Sequence, residues 1–367
     1  MTHSPDICFF TSTMGDGGAQ RTIANLATGF SELGYDVDLL LLHRCGPYLR
    51  DLPHQIRVIE LPADRARNAV VPLVQYLRET VPDVFFSTME YLNVVSLISA
   101  FISNTDTRIA IRTANIRSLP RDNSAPAQIQ HLLAKALYRQ ADHHIALSRD
   151  ARTDMMNVYG LSKSSIDVIH NPVRVSHIQS RAESPVELDF VDPDSQLLIS
   201  VGRLSKQKDY PTLLHACKDI SEHRDIELII LGKGSLRSEL TELAADLNID
   251  DIVHFLGFVD NPYAYMAKAD AFVLSSRWEG FGHVLVESMS CGTPVVATSC
   301  PGGPSEILAD GKYGELVPVG NPSELASAIN RTLQSPPQKT AIVRRAQDFD
   351  YISITKQYES VLFYDGA

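Results

Sequence analysis

No apolar run in this chain of 367 residues is long enough to span a bilayer, which takes about 20 predominantly apolar residues. The best candidate, 91–102, is interrupted by Asn93, Ser96 and Ser99. The N-terminus, MTHSPDICFF, has no basic run and only a short apolar stretch, so no secretory signal is expected there. Cysteine is scarce too. Cys8, Cys45, Cys217, Cys291 and Cys300 are scattered, odd in number and form no CxxC. That excludes a disulfide framework or a zinc site, and suits the reduced thiols of a cytoplasmic protein. Base is not in excess either: 33 Lys and Arg face 44 Asp and Glu, net −11, so no nucleic-acid partner is expected. With 44% hydrophobic and 21% charged residues, collagen-like, disordered and coiled-coil classes drop out.

The composition that remains is ordinary and globular, and the length predicts two domains. Charge divides unevenly between them. Residues 1–180 balance, and residues 181–367 hold the whole acidic excess. Short β-branched runs alternate with helical periodicity throughout. Strands are expected at 7–12, 37–42, 84–87, 108–112, 144–147 and 166–170, then at 197–201, 227–231, 252–255, 271–274, 294–298 and 315–317. Ile23, Leu26, Ala27, Phe30 and Leu33 recur at helical spacing before Gly34. The alternation breaks at 171–196, where Asn171-Pro172 stops a strand and a Ser, Pro and acid-rich stretch follows. The prediction is α/β: a first Rossmann-like domain over 1–175, a linker over 176–196 and a second Rossmann-like domain over 197–344. A last helical segment, 340–363, follows the second sheet, and 345–367 is expected to pack back on the first domain. Ligands of such sheets sit at the carboxyl ends of the strands.

Three stretches there could carry chemistry. In Arg277-Trp-Glu-Gly-Phe-Gly-His-Val-Leu-Val-Glu287, Glu279 and Glu287 are eight residues apart, about 80° from each other on a helix, not stacked. That spacing suits Glu279 in a loop and Glu287 inside the following helix, which Gly292 would close. Gly280 and Gly282 would open the loop, and a Gly-rich loop at a helix N-terminus is an anion site. Spacing alone leaves open a plain strand–helix turn with two solvated glutamates. The second stretch, Val201-Gly-Arg-Leu-Ser-Lys-Gln-Lys-Asp209, puts Arg203 and Lys208 just past a strand, with Asp209 placed to cap the next helix. An Arg fork and a Lys point charge suit a diphosphate. The third, Met14-Gly-Asp-Gly-Gly-Ala19, lacks the last glycine of a dinucleotide fingerprint because Gln20 stands there.

These elements, with "IALSRDARTDM", "VIHNPV", "LGKGSLRSEL", "FLGFV", "CGTPVVATSCPGGPSEIL" and "GELVPVGNPSELASAI", together resemble the retaining glycosyltransferase family four, of GT-B architecture. Within it, the stretch CGTPVVATSCPGGPSEIL at 291–308 resembles the subset that builds surface polysaccharides and lipid-linked oligosaccharides. The resemblance implies two Rossmann-like doubly wound domains facing each other across a cleft, with the C-terminal helix crossing back. It implies a metal-independent, retaining transferase without a cofactor, moving a hexose or N-acetylhexosamine from a nucleotide-sugar, UDP first, to a glycan or lipid-linked acceptor. By resemblance Glu279 would meet a donor-sugar hydroxyl, Glu287 the ribose, and Arg203 and Lys208 the diphosphate, making Glu279, Arg203 and Lys208 the catalytic set. Gly18, Gly232, Gly280, Phe281, Gly282, Val284 and Leu285 would complete the donor contacts, with Gly257 and Phe258 near the base.

Other features fit less directly. Arg112-Thr-Ala-Asn115 has no His where family members often carry one, so no base is assigned. His143-His144 reads as the start of a buried strand. Asp36-x-Asp38, Asp192-x-Asp194 and Asp348-x-Asp350 mimic a metal-binding pair but open a strand, lie in the linker and lie in the tail. Arg108, Arg112, Arg117 and Arg121 form a run without acid between Asp106 and Asp122. It reads either as a solvated loop or, at Arg112, Arg117 and Arg121, as a patch for an anionic acceptor or membrane surface. The expected location is cytoplasmic, with peripheral contact at the inner face of a membrane. Competing readings are a nucleotide-sugar epimerase, a non-catalytic nucleotide-sugar-binding scaffold and an NAD-linked oxidoreductase.

Overall fold

The apolar runs become strands because each is covered on both faces. In the computed structural model, which describes residues 4–15, 17–113 and 125–364, the first sheet contains Ile7–Thr11 (β1), Val37–Leu41 (β2), Arg57–Glu60 (β3), Val84–Thr88 (β4), Arg108–Thr113 (β5), His143–Ala146 (β6) and Ile166–Val168 (β7). The order is β3-β2-β1-β4-β5-β6-β7 and every pairing is parallel. Side chains alternate between two cores. Ile7, Phe9 and Phe86 face one set of helices, and Cys8, Phe10 and Phe85 face the other. β3 was not anticipated. As an edge strand of four residues, RVIE, it has no fully buried position and so no apolar run to betray it.

The second sheet contains Gln196–Val201 (β8), Ile226–Leu231 (β9), Val253–Gly257 (β10), Ala271–Leu274 (β11), Val295–Thr298 (β12) and Glu315–Val317 (β13). Its order, β10-β9-β8-β11-β12-β13, is again all parallel. Both sheets reverse their winding beside the first strand, between β1 and β4 and between β8 and β11. The loops leaving those strands therefore border the crevice where doubly wound sheets bind ligands.

The chain forms two compact units, Met1–Pro172 with Tyr351–Ala367, and Val173–Asp350. The division differs from a linker at 176–196. A helix, Val175–Ala182, already belongs to the second unit and buries Val175 and Ile178. Its polar composition reflects one apolar face, not an open connection. The single helix expected over 340–363 is two, Lys339–Gln347 and Tyr351–Phe363. Between them Phe349 is buried, its carbonyl accepts from the Val173 N–H at 2.9 Å, and Val173 bridges Asp350. Those contacts stop the first helix within the second unit. The Tyr351–Phe363 helix packs in the first unit, where Ile354, Tyr358 and Leu362 are buried and Tyr358 meets the Phe86 ring edge-on at 5.7 Å.

The interrupted apolar stretch at 91–102 lies in a helix, Glu90–Ser103, of the first unit's core. Asn93 is fully buried there. It accepts from Ser87 Oγ at 2.9 Å and donates to the Arg112 carbonyl at 3.1 Å and to Tyr138 Oη at 3.0 Å. A buried amide with three partners is stable. Among the described residues no helix is long and apolar enough to cross a membrane.

Candidate active site

The residues singled out in the second unit converge at the carboxyl ends of β8 and β11. After β8 the chain runs through Gly202 to Asp209 before the helix Tyr210–Ser221, and after β11 through Ser275 to Gly282 before the helix His283–Cys291. Three bonds join the two loops: the Arg277 N–H donates to the Gln207 carbonyl at 2.8 Å, Gln207 Nε2 to the Trp278 carbonyl at 2.9 Å, and Ser275 Oγ to the Lys208 carbonyl at 2.8 Å.

Between them Lys208 Nζ donates to Glu279 Oε1 at 2.6 Å, the two side chains being only 14% and 8% exposed. Ser276 Oγ donates to the same oxygen at 2.6 Å. Among the described residues no donor bonds Oε2, so that oxygen can accept from a ligand hydroxyl. Ser276 stands three residues before Glu279 and nothing in its type marks it in the sequence. Asp209 does not cap the helix as its position predicts. Asp209 occupies the cap position of the helix but makes no side-chain cap bond. It accepts from the Thr212 hydroxyl at 3.0 Å and pairs with Arg277 at 3.1 Å. The guanidinium holds the carboxylate beside the loop instead of over the helix amides.

Glu287 is buried on the His283–Cys291 helix, and Gly292, at φ 79°, closes that helix as the spacing predicted. At its other end Gly282 is the cap residue, φ 95°, with no side-chain hydrogen bond, next to His283 and Val284. Phe281 and Leu285 are buried beneath this turn. The Glu279–Phe281 loop is held from behind by Pro301-Gly302-Gly303. The Glu279 N–H donates to the Pro301 carbonyl at 3.0 Å. A Cβ on Gly302 would lie 2.2 Å from the Glu279 carbonyl oxygen, and one on Gly303 2.0 Å from that of Phe281. Only glycine fits so close an approach.

Arg203 is exposed at the mouth of the same loop. Gly232 and Gly257 are structural neighbours of that region. The Gly232 N–H donates to the Gly257 carbonyl at 2.7 Å, and a Gly232 Cβ would lie 1.9 Å from the Gly202 carbonyl oxygen. Gly232 thus lets the β9 loop nest against the β8 loop. Phe258 is 66% exposed, with Lys233 Nζ 5.8 Å from its ring centroid. Gly280 lies in the loop, half-buried.

In the first unit Gly18 opens the helix Gly18–Glu32, whose cap, Gly17, makes no side-chain bond. The turn before it leans on the segment after β2, through the Met14 N–H to the Cys45 carbonyl at 2.8 Å. Arg112 does not belong to a surface patch. It is 1% exposed, donating through Nη1 to Thr88 Oγ1 at 3.1 Å and through Nη2 to Asn171 Oδ1. β5 lies inside the sheet with both faces covered, so its side chains enter the core whichever way they point. Burial lowers the Arg112 pKa, with the nearby Tyr358 acting in the opposite sense. Arg117 and Arg121 lie outside the described residues. His144 is buried in β6, its ring nitrogens 2.7 Å from the Tyr138 carbonyl and 3.1 Å from that of Ser165, consistent with a strand residue. Among the described residues no cluster of three His, Cys, Asp or Glu could hold a metal. Asp38 instead pairs with Arg57 and accepts from Tyr76 Oη at 2.5 Å.

The chain is similar to known proteins along nearly its whole length. Residues 16–177 match the family model for Glycosyltransferase Family 4, and residues 189–349 the model for Glycosyl transferases group 1. The chain is 28% identical over 366 residues to the N-acetylgalactosamine-N,N'-diacetylbacillosaminyl-diphospho-undecaprenol 4-alpha-N-acetylgalactosaminyltransferase of Campylobacter jejuni, covering 95% of this chain and 96% of that one. The crystal structure of Anabaena Alr3699/HepE in complex with UDP-glucose superposes with a TM-score of 0.78 at 24% identity, over 98% of this chain and 99% of that one. The apo form of the lipopolysaccharide outer core galactosyltransferase WaaB gives 0.78 at 20% identity, over 97% and 99%. The two family models follow one another along the chain in the order of its two sheets, and the chain is a GT-B-fold glycosyltransferase of the group 1 and family 4 type.

Proposed function

We propose that the protein moves a hexose or N-acetylhexosamine from a UDP-sugar to a lipid-linked glycan, with retention at the anomeric carbon and without a divalent metal. In this reading the second unit holds the donor and the first unit the acceptor, and the work is done at the cytoplasmic face of a membrane. The observation that carries it is the Lys208–Glu279–Ser276 cluster, nearly dry and set at the switch point between β8 and β11. The Campylobacter relative, whose acceptor is a diphospho-undecaprenol glycan by name, supports the acceptor class, and UDP-glucose bound to the Anabaena protein supports the donor.

Breaking the bond between the sugar anomeric carbon and the phosphate oxygen leaves its electron pair on the diphosphate while positive charge builds on the ring. Fixed donors aimed at the diphosphate lower that barrier. Arg203 supplies a fork and Lys208 a point charge. Glu279, held by Lys208 and Ser276 through Oε1, takes a sugar hydroxyl on Oε2. Glu287 takes the ribose, Gly282 and the turns at Gly18 and Gly232 bring backbone close to phosphate and sugar, and Phe258 flanks the base. The acceptor oxygen attacks from the face the diphosphate is leaving, and the leaving phosphate oxygen takes its proton. Products are the glycoside and the nucleoside diphosphate.

Thermal unfolding with UDP, GDP or ADP, each in EDTA, tests the donor assignment. UDP at 100 times its dissociation constant should stabilise by about 2.7 kcal/mol. A shift with GDP or ADP alone would reassign the base, a shift that needs a divalent cation would overturn metal independence, and no shift with any of them would overturn the donor site.

A further inference from the structure

The loop that carries Phe258 is held at both ends. At its start the carbonyl of Gly257, a residue with φ 77°, accepts from the Gly232 N–H at 2.7 Å. That bond ties the loop to the segment after β9, which itself nests against the β8 loop. At its other end stands Arg181, in the last turn of the Val175–Ala182 helix. Its Nη2 donates to the Asp260 carbonyl at 3.0 Å and to Asp260 Oδ2 at 2.8 Å. Asn261 Nδ2 donates in return to the Arg181 carbonyl at 2.9 Å, satisfying one of the open carbonyls at that helix end. The guanidinium also lies 6.0 Å from the Tyr263 ring centroid. Between the two holds lie Phe258 and Val259.

The support under Arg181 is firm. Val175 and Ile178 are buried, and their helix packs against the His283–Cys291 helix that carries Glu287. The short helix after the loop, Pro262–Met266, is fixed to the end of that same helix. Cys291 Sγ donates to the Tyr263 carbonyl at 3.7 Å, and Thr293 Oγ1 to the Met266 carbonyl at 2.6 Å. Glu287 and the Phe258 loop therefore share one platform, and Arg181 joins the loop to it. We infer that Arg181 is a positioning residue for the nucleotide base, setting the Phe258–Asn261 loop so that Phe258 flanks a pyrimidine ring. A loop fixed at both ends does not yield to a larger ring, so the clamp favours a pyrimidine over a purine. The inference rests on the donor reading above, in which Phe258 lies beside the base. Its role is local to the loop, because the Asp260 side chain is 93% exposed and exposed ion pairs add little to stability.

The test is calorimetric titration of the full chain with UDP and with GDP, alongside donor kinetics and Tm. Arg181→Ala should leave Tm close to the parent value. If the backbone of one loop residue is freed and must be ordered again on binding, the UDP dissociation constant rises about five- to thirtyfold. GDP binding should change less, so discrimination between the two bases narrows. Base contacts are equal in the ground and transition states, so the donor KM should rise with kcat unchanged. Asp260→Ala keeps the carbonyl acceptor and should weaken UDP less, and Arg181→Lys keeps a charged donor and should recover part of the loss. In a Phe258→Ala background Arg181→Ala should lose most of its effect, because both act through one loop. UDP affinity and base discrimination unchanged in Arg181→Ala would overturn the inference and leave the donor site standing. Losses that add in full to those of Phe258→Ala would also overturn it, because Arg181 would then act by another route. A parent chain that binds no nucleoside diphosphate would overturn the donor reading and the inference with it.

Discussion

Lys208→Gln separates the two roles that the central cluster can have. With Nζ 2.6 Å from Glu279 Oε1 and the side chains 14% and 8% exposed, the pair is close to dry. Removing one partner of a buried pair costs about 3–5 kcal/mol, because the other charge is left uncompensated. Glutamine returns one neutral donor and Ser276 keeps its bond, so the lower end, about 3 kcal/mol, is expected. For a unit of this size each kcal/mol lowers Tm by about 2–4 °C, which predicts a fall of about 6–12 °C for the second unit. That much follows from packing alone. If Lys208 also meets the diphosphate, one charge-assisted bond to UDP is lost, about 1.5–3 kcal/mol, or a Kd weakened about 10- to 150-fold. Turnover should fall further, by about a hundredfold or more, since the bond strengthens as charge develops on the leaving group. Calorimetric titration with UDP and single-turnover transfer would measure the two effects. A lowered Tm with UDP affinity and turnover unchanged would refute the diphosphate role and leave Lys208 as a structural partner of Glu279. Glu279→Gln is the counterpart. It frees Lys208 without removing it, so UDP affinity should hold while transfer falls.

Two further perturbations probe the interior of each unit. Burial pushes Cys217, Cys291 and Cys300 up to about 12 from an ordinary 9.0. The fold therefore keeps protons that the unfolded chain releases, and stability falls as pH rises between those values. For the fully buried Cys217 the loss is about 1.4 kcal/mol one pH unit above its unfolded pKa. Urea unfolding at neutral pH and near pH 10 should show Cys217→Ala losing that much less than the parent chain, and equal losses would contradict it. Arg112→Ala should destabilise the first unit by about 3 kcal/mol, through the cavity and the stranded Asn171 and Thr88 groups. Its vesicle binding should stay at the parent level, and a selective loss of vesicle binding with unchanged stability would return Arg112 to the surface.

The first unit's sheet was readable because β1, β2 and β4 are mostly apolar and buried at every position, a pattern expected where both faces are covered. The same covering hid Arg112. Charge counted along the sequence put it in a basic run, but a parallel strand inside a sheet has no solvent face to offer, and β5 takes its arginine into the core. The edge strand β3 failed for the converse reason. Exposed on both ends of its register, it can carry Arg57 and Glu60 and so leaves no hydrophobic signature.

At the candidate site the pattern was legible where chemistry needs a particular residue type and silent where it needs a neighbour. Arg203, Lys208, Glu279 and Glu287 stood out by type and spacing. Ser276, which fixes the carboxylate from three residues before it, has nothing in its type to mark it, and Arg277, which takes Asp209 away from the helix cap, is 68 residues from it in sequence and is brought there by the parallel pairing of β8 with β11. The glycines show the same division. Gly282 and Gly292 were visible as helix punctuation. Gly232, Gly302 and Gly303 are required by carbonyl oxygens of loops far along the chain, 1.9 to 2.2 Å from where a Cβ would stand. A side chain at Gly303 would press on Phe281 and move the Glu279 loop without touching a ligand. The glycine pair is therefore a positioning device for the carboxylate, and the site's geometry depends on three loops from one sheet edge closing on each other as much as on the charged residues they carry.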